Sequence, residues 1–135
     1  MELYCSGNLE ILKSPIGSVE FCNEYSSGRV QKSIDTTAAV SKLGDPHVSY
    51  YLIRWVCNAS RLNHLMRTTP HDHCQVGTHR FDDATRSAFT EFSGIACTDA
   101  QWVQVCSSTR HAGLGLRCAV GVADAAYLAS VGAVC

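Results

Sequence analysis

The chain has 135 residues, a length that suits one domain with one modest hydrophobic core. Hydrophobic residues make up 46% of the sequence and charged residues 17%, as in an ordinary folded globular protein. With 11 lysine and arginine residues against 12 acidic residues, the net charge is −1, which excludes a globally basic nucleic-acid-binding protein.

The first ten residues and the cysteines indicate the cellular compartment. MELYCSGNLE lacks the basic and apolar regions of a secretory signal peptide, and no apolar run approaches the roughly 20 residues of a membrane span. Eight cysteines could form disulfides in a secreted protein, but Cys22, Cys57 and Cys74 fall within helical patterns. We therefore predict reduced thiols, an intracellular location in the cytoplasm or nucleus, and no membrane partner.

The N-terminal third predicts a short strand followed by a long helix. Residues 9–12 have the composition of a strand, and Pro15 and Gly17 predict a turn. Ser18 is a candidate N-cap for a helix that Gly44 would end. The expected apolar stripe of this helix comprises Phe21, Tyr25, Val30, Ile34 and Ala38.

The next predicted helix runs from residue 46 to residue 66. Asp45 supplies an N-cap acid, Pro46 suits the first helical position, and Pro70 ends the segment. One face of this helix would carry four polar residues, spaced at offsets that nearly align at 3.6 residues per turn. These residues are His47, Arg54, Asn58 and Arg61.

Two or three further helices complete the chain. Residues 72–93 predict a helix that Gly94 ends, and a capping box from Thr98 to Gln101 opens a short helix with Trp102. Residues 119–131 predict a final alanine-rich helix. The expected fold is therefore mainly α, a bundle of four or five helices with a possible short N-terminal β-hairpin.

The polar stripe on the predicted 46–66 helix is the strongest candidate for a binding site. Its guanidinium groups could follow a phosphate backbone, and residues 45–70 carry three arginines against one aspartate. An ordinary solvated helix face is the alternative interpretation.

Other candidate chemistry has weaker support in the residue spacing. His71, His73, Cys74 and His79 are potential zinc ligands, but three of them crowd into four positions. Asp82 and Asp83 point about 100° apart on a helix, so they cannot easily share a metal, although Asp82 could cap a helix or pair with Arg86. A cysteine–histidine nucleophile pair has no distinctive spacing.

Gly113 and Gly115 raise the question of a nucleotide loop. A dinucleotide fingerprint needs a third glycine, where Cys118 stands, and a preceding buried strand, which is missing. We therefore predict that the two glycines form a packing turn before the last helix.

Several motifs occur together in a characteristic order: SPIGSVEFC, LGDPHVSYYLIRWV, RLNHLMRTTP, HRFDDATRSAF, W-V-Q, AGLGLR and AAYLAS. This series resembles the region that follows the catalytic palm in reverse transcriptases of non-LTR-like retrotransposons. The resemblance covers about residues 9–131. It implies a primer-grip-like hairpin over residues 1–17 and a helical thumb region over residues 18–135.

The resemblance also implies site residues and a partner. The residues that match the primer grip are Lys13, Ser14, Pro15, Ile16 and Gly17. Arg67 matches a family arginine and joins the four stripe residues as an expected contact to nucleic acid. Thumb regions hold a template–primer duplex, so an RNA–DNA hybrid or another nucleic acid is the expected partner, weakly bound, beside the missing palm and fingers.

The chain departs from the family pattern in ways that bear on activity. The Tyr-x-Asp-Asp sequence that binds magnesium in the palm does not occur, so we expect no polymerase activity and no cofactor for this chain alone. Lys13 and Ala112 stand where the family has glycines, and Ser107-Ser108 replaces leucine-proline. These departures suit a degenerate copy. A helical protein-interaction module, or less readily a Cys/His metal protein, remains the alternative.

Overall fold

A computed structural model describes residues 7–135, so the first six residues, with Cys5 and the start of the predicted 1–17 segment, lie outside the described residues. About 71% of the structure is helical, and the predicted mainly α fold with an N-terminal hairpin is confirmed. In chain order the elements are β1 (Leu9–Ile11), β2 (Ser14–Ile16), α1 (Val19–Ser41), α2 (Pro46–Trp55), α3 (Asn63–Thr68), α4 (His71–Ser93), α5 (Asp99–Cys106) and α6 (Ala119–Gly132). Two short 3-10 helices span Ala59–Leu62 and Thr109–His111.

The N-terminal strand pairs with a second strand in an antiparallel hairpin. The turn lies at Leu12 and Lys13, whose φ angles are 51° and 64°, and the prediction of a turn at Pro15 is wrong because Pro15 is buried within β2. Positive φ at both positions is the geometry of a type I′ hairpin turn, a conformation that favours glycine. Lys13 therefore occupies a strained position in this turn.

Local capping chemistry begins the helices where the sequence predicts. The Ser18 hydroxyl accepts a hydrogen bond from the Phe21 amide at 3.2 Å, and α1 follows. Asp45 accepts from the amide of His47 at 2.9 Å at the start of α2. Thr98 and Gln101 form the predicted capping box of α5. These contacts satisfy amide groups that have no partner inside the helix.

The predicted helix over residues 46–66 is wrong, because the chain breaks into α2, a 3-10 helix and α3. Asn58 causes the interruption. Its side-chain amide donates to the Arg54 carbonyl at 2.7 Å, and its side-chain oxygen accepts from the Ser60 amide at 2.8 Å. One side chain thus satisfies the end of α2 and caps the next helix. As a result, Arg54 and Arg61 do not share a helix face.

Helices α1 and α4 form the main packing layer of the fold. The expected apolar stripe of α1 is only partly correct: Val30 is buried in the core and Ile34 packs against it, but Ala38 is exposed, and the buried face consists mostly of small and hydroxyl residues. These are Cys22, Ser26, Val30, Ser33, Thr37 and Ser41. A side chain at Gly77 would place Cβ 2.9–3.0 Å from Ser26, so the two helices touch closely there. The buried hydroxyls of Ser26 and Thr37 donate to carbonyls of their own helix.

The last helix packs on α3 and α4 over the central apolar core. Asp82 of α4 caps α6, because its carboxylate accepts from the amides of Ala119 at 2.7 Å and Val120 at 3.0 Å. Asp82 therefore caps a helix other than its own. The suggested pairing of Asp82 with Arg86 is wrong, since Arg86 pairs with Asp99 at 2.8 Å. The main core cluster comprises Val30, Ala59, Leu62, Met66, Phe81, Ala119 and Ala123.

Candidate nucleic-acid interface

The strongest concentration of positive charge surrounds a small cavity of about 200 Å³ between the hairpin, α1 and the 60–65 region. We call this feature the basic cleft. Its lining residues are Lys13, Arg29, Lys32, Ser33, Arg61, Leu62, His64 and Leu65. Four of the 11 lysine and arginine residues of the chain thus meet at one place, although the whole protein has a net charge of −1.

Three separate segments position the cations of the basic cleft. Arg29 and Lys32 are three residues apart on α1, a spacing that places them on one helix face. Arg61 lies on the 3-10 helix after α2. Lys13 comes from the hairpin turn, which is held against α3 because Nε2 of His64 lies 3.0 Å from the Leu12 carbonyl oxygen.

The electrostatics of the basic cleft favour an anion. No aspartate or glutamate is among its lining residues. Across residues 7–135, the ion pair that forms joins Arg86 to Asp99 and involves no cation of the basic cleft. Like charges held together without a carboxylate repel one another, and a phosphate group bound among them relieves that repulsion.

The predicted stripe does not form one surface. Arg61 lines the basic cleft, whereas Arg54 and Asn58 line a second cavity of about 400 Å³. His47 lies exposed in the first turn of α2, where its main-chain amide contacts Asp45. The interruption of the helix at residues 56–58 separates these groups.

The residues that match the primer grip divide between four environments. Lys13 lines the basic cleft, Ser14 and Pro15 are buried, and Gly17 links the hairpin to α1. Ile16 instead lines an apolar groove of about 510 Å³ between the hairpin and the C-terminal helix. The apolar side chains of this groove are Ile11, Leu12, Ile16, Val131 and Val134, all exposed by 38% or more.

Arg67 lies beside the basic cleft rather than in it. It lines the apolar groove and a neighbouring depression together with His64 and Thr68. Its side chain is exposed.

Sequence reasoning missed two of the four cations of the basic cleft, Arg29 and Lys32. The signal was available in RVQK, where two cations stand three positions apart on a predicted helix. The sequence does not predict that Lys13 and Arg61 lie beside Arg29 and Lys32, because that proximity depends on tertiary packing.

The acidic pair of α4 does not fit a magnesium site. Both carboxylate oxygens of Asp82 hold the start of α6, and one of them also accepts from the Cys118 thiol at 2.7 Å. Asp83 is exposed and follows on a different side of the helix. Two-metal chemistry needs carboxylates that converge on the ions. No catalytic step is therefore assigned to these residues.

The candidate zinc ligands also fail to converge within the described residues. Cys74 is fully buried, and its thiol points toward the Thr69 carbonyl, whereas His79 is exposed on the same helix. Over residues 7–135, no three His, Cys, Asp or Glu side chains are grouped as a metal ion would require.

The glycine turn packs the chain after α5, as the sequence predicts. A side chain at Gly113 would lie 2.0 Å from the Ser107 carbonyl oxygen, so only glycine fits. Gly115 has a φ of 69°, and its amide donates to the Ser107 carbonyl at 2.9 Å. Ala112 has a φ of 58°, at a place where the resembled family has glycine. The amides of Gly113 and Gly115 thus serve the fold.

Comparison with known proteins finds no matching family model, no matching curated protein and no matching solved structure. Among the residues that the structure describes, no helix has the length and apolar character needed to cross a membrane.

Proposed function

We propose that this chain is a thumb region derived from a retroelement reverse transcriptase and that its basic cleft binds the phosphate backbone of an RNA–DNA hybrid. The observation that carries the proposal is the meeting of Lys13, Arg29, Lys32 and Arg61 around one cavity that no aspartate or glutamate lines. Cations in such a group contact phosphates without reading bases. The choice of an RNA–DNA hybrid as the ligand rests on the resemblance of the ordered motifs to a reverse-transcriptase thumb region.

Under this proposal the chain has no polymerase activity by itself and binds its ligand weakly. The missing palm would lie against the apolar groove, whose exposed Ile11, Leu12 and Ile16 belong to the primer-grip-like hairpin. The proposal also places the protein in the cytoplasm or nucleus. Seven unpaired thiols among residues 7–135 support that location.

A titration of a labelled RNA–DNA hybrid at low salt, followed by fluorescence anisotropy, tests the proposal. We expect Arg29→Ala with Arg61→Ala to weaken binding by about tenfold, because two phosphate contacts are lost. Lys42→Ala with Arg110→Ala is the matched control, since it removes the same charge from exposed positions outside the basic cleft. Equal losses in the two variants, or no binding by the unaltered protein, would contradict the proposal.

The apolar groove favours a second candidate function, that of a small helical protein-interaction module. Leu12 and Val134, which are 86% and 87% exposed, line this groove together with other exposed apolar side chains, and a contiguous exposed apolar patch marks an interaction site. The hybrid titration separates the two functions, because an interaction module would not bind the hybrid even at tens of micromolar protein.

A further inference from the structure

The second cavity, which we call the Arg54 pocket, has features of a ligand site that the proposed function does not use. It measures about 400 Å³, within the usual range for small-molecule sites. Its lining residues are Arg54, Trp55, Asn58, Ser60, Cys106, Ser108, Thr109, Gly115 and Arg117. Two arginines and an aromatic ring line it, and no aspartate or glutamate does.

Arg54 is held in a fixed orientation at the wall of the pocket. Its guanidinium lies 4.8 Å from the centre of the Trp55 ring, and one of its nitrogens donates to the Tyr50 hydroxyl at 2.9 Å. Gly115 allows this placement, because a side chain there would put Cβ 3.3 Å from Nε of Arg54. A guanidinium that is oriented before binding loses less entropy when it contacts an anion.

The pocket also offers a second cation and a surface for stacking. Arg117 is exposed at the rim, and no ion pair involves it among residues 7–135. Hydroxyl groups of Ser60 and Thr109 line the same space. Trp55 is 64% exposed although the Arg54 guanidinium lies over its ring, so part of the ring surface is open to contact a planar group. Aromatic rings of this kind stack nucleobases of any sequence.

We infer that the Arg54 pocket binds a nucleoside monophosphate, with the phosphate between Arg54 and Arg117 and the base against Trp55. Side chains would hold the phosphate, while the amides of the glycine turn remain committed to the fold. The site is distinct from the basic cleft, since the two cavities share no lining residue. The inference does not depend on hybrid binding.

Isothermal titration calorimetry with adenosine monophosphate, adenosine and inorganic phosphate tests this inference. We expect saturable one-to-one binding of the monophosphate, at least about tenfold tighter than either part alone, because charge-assisted hydrogen bonds and stacking both contribute. Arg117→Ala should weaken binding by about tenfold. This exposed residue makes no described hydrogen bond, so its loss should leave the fold intact. Trp55→Ala should lower the affinity to that of inorganic phosphate.

Two control variants of the same protein make the result decisive. Arg110→Ala removes a neighbouring exposed cation that does not line the pocket, and Arg29→Ala with Arg61→Ala removes two of the four cations of the basic cleft. Both should leave adenosine monophosphate binding unchanged. The inference is overturned if the monophosphate does not bind, if inorganic phosphate binds equally well, or if the basic-cleft variant loses binding while Arg117→Ala retains it.

Discussion

Nε2 of His64 lies 3.0 Å from the main-chain oxygen of Leu12, although the two residues are 52 positions apart. A carbonyl oxygen only accepts hydrogen bonds, so Nε2 carries the proton in this contact. Nε2 also lies 3.2 Å from the Ser14 hydroxyl, on the far side of the turn. His64 therefore ties both ends of the hairpin turn to α3, and Lys13 between them is held at the basic cleft.

Lys13 should affect stability and binding in opposite directions. Its strained conformation lowers the stability of the fold, whereas its positive charge favours binding of the hybrid. Its φ of 64° strains a residue with a side chain. We expect Lys13→Gly to raise the free energy of unfolding by about 0.5–1 kcal/mol. The same change should weaken hybrid binding severalfold. Urea unfolding and anisotropy titration measure the two effects, and a variant that is both more stable and fully competent in binding would remove Lys13 from the interface.

Two glycines within the long helices predict opposite responses to the same substitution. No atom outside its own helix lies within 4 Å of the Cβ position of Gly28, so Gly28→Ala should stabilise the protein by about 0.5–1 kcal/mol. Gly77 faces the backbone of Ser26, and Gly77→Ala should destabilise it because α1 and α4 must separate. Thermal melts of the two variants check the sign of each change. Stabilisation by Gly77→Ala would show that the helices are not packed this closely.

Asp82 predicts a stability loss that its neighbour does not share. Asp82→Ala removes the acceptor for the amides of Ala119 and Val120, and we expect a loss of about 1–2 kcal/mol. Asp83→Ala is the control, and as a change at an exposed position it should stay within about 0.5 kcal/mol. Urea unfolding of both variants tests this difference. Similar losses would mean that Asp82 does not cap α6.

The thiols predict a loss of stability at alkaline pH. Burial raises the pKa of Cys74 to about 11 and that of Cys106 to about 12. Burial, with the hydrogen bond to Asp82, also raises the pKa of Cys118 to about 11. An unfolded thiol has a pKa of about 8.5, so between about pH 8.5 and 12 the folded state binds more protons than the unfolded state.

The sign of that difference fixes the direction of the pH dependence. The stabilisation that the protonated, buried thiols contribute is fully present below about pH 8.5, and it falls as the pH rises through the pKa values of the folded state. Melting temperatures measured from about pH 8 to pH 11 should therefore decrease less steeply in Cys106→Ala than in the unaltered protein. Exposed Cys135→Ser should leave the decrease unchanged. Parallel curves for Cys106→Ala and the unaltered protein would contradict the assignment.

Helix starts can be predicted well from local capping residues in the sequence, whereas interruptions of helices and the formation of sites depend on tertiary packing. Ser18, Asp45 and Thr98 act within three residues of themselves, so their capping roles can be read directly. The break at Asn58 is harder to foresee, because the apolar period continues through it and Asn58 resembles any polar surface residue. A strict stripe of polar residues on one helix was therefore an incorrect interpretation.

The candidate site shows the same division between local and distant effects. The spacing of Arg29 and Lys32 predicts one basic helix face, but nothing in the sequence brings Lys13 to it across the hairpin. Likewise, the buried face of α1 consists of hydroxyl residues that satisfy themselves on their own helix carbonyls. A search for apolar periodicity does not detect a buried face that consists mainly of hydroxyl residues.

The salt dependence of hybrid binding tests the central claim most directly. Each phosphate contact contributes a slope of about −0.9 to the logarithm of affinity against the logarithm of salt concentration. For the four cations of the basic cleft we expect a slope between about −3 and −4, and Arg29→Ala with Arg61→Ala should bring it about two units closer to zero. The Lys42→Ala with Arg110→Ala control should keep the original slope. An unchanged slope in the basic-cleft variant would contradict the account.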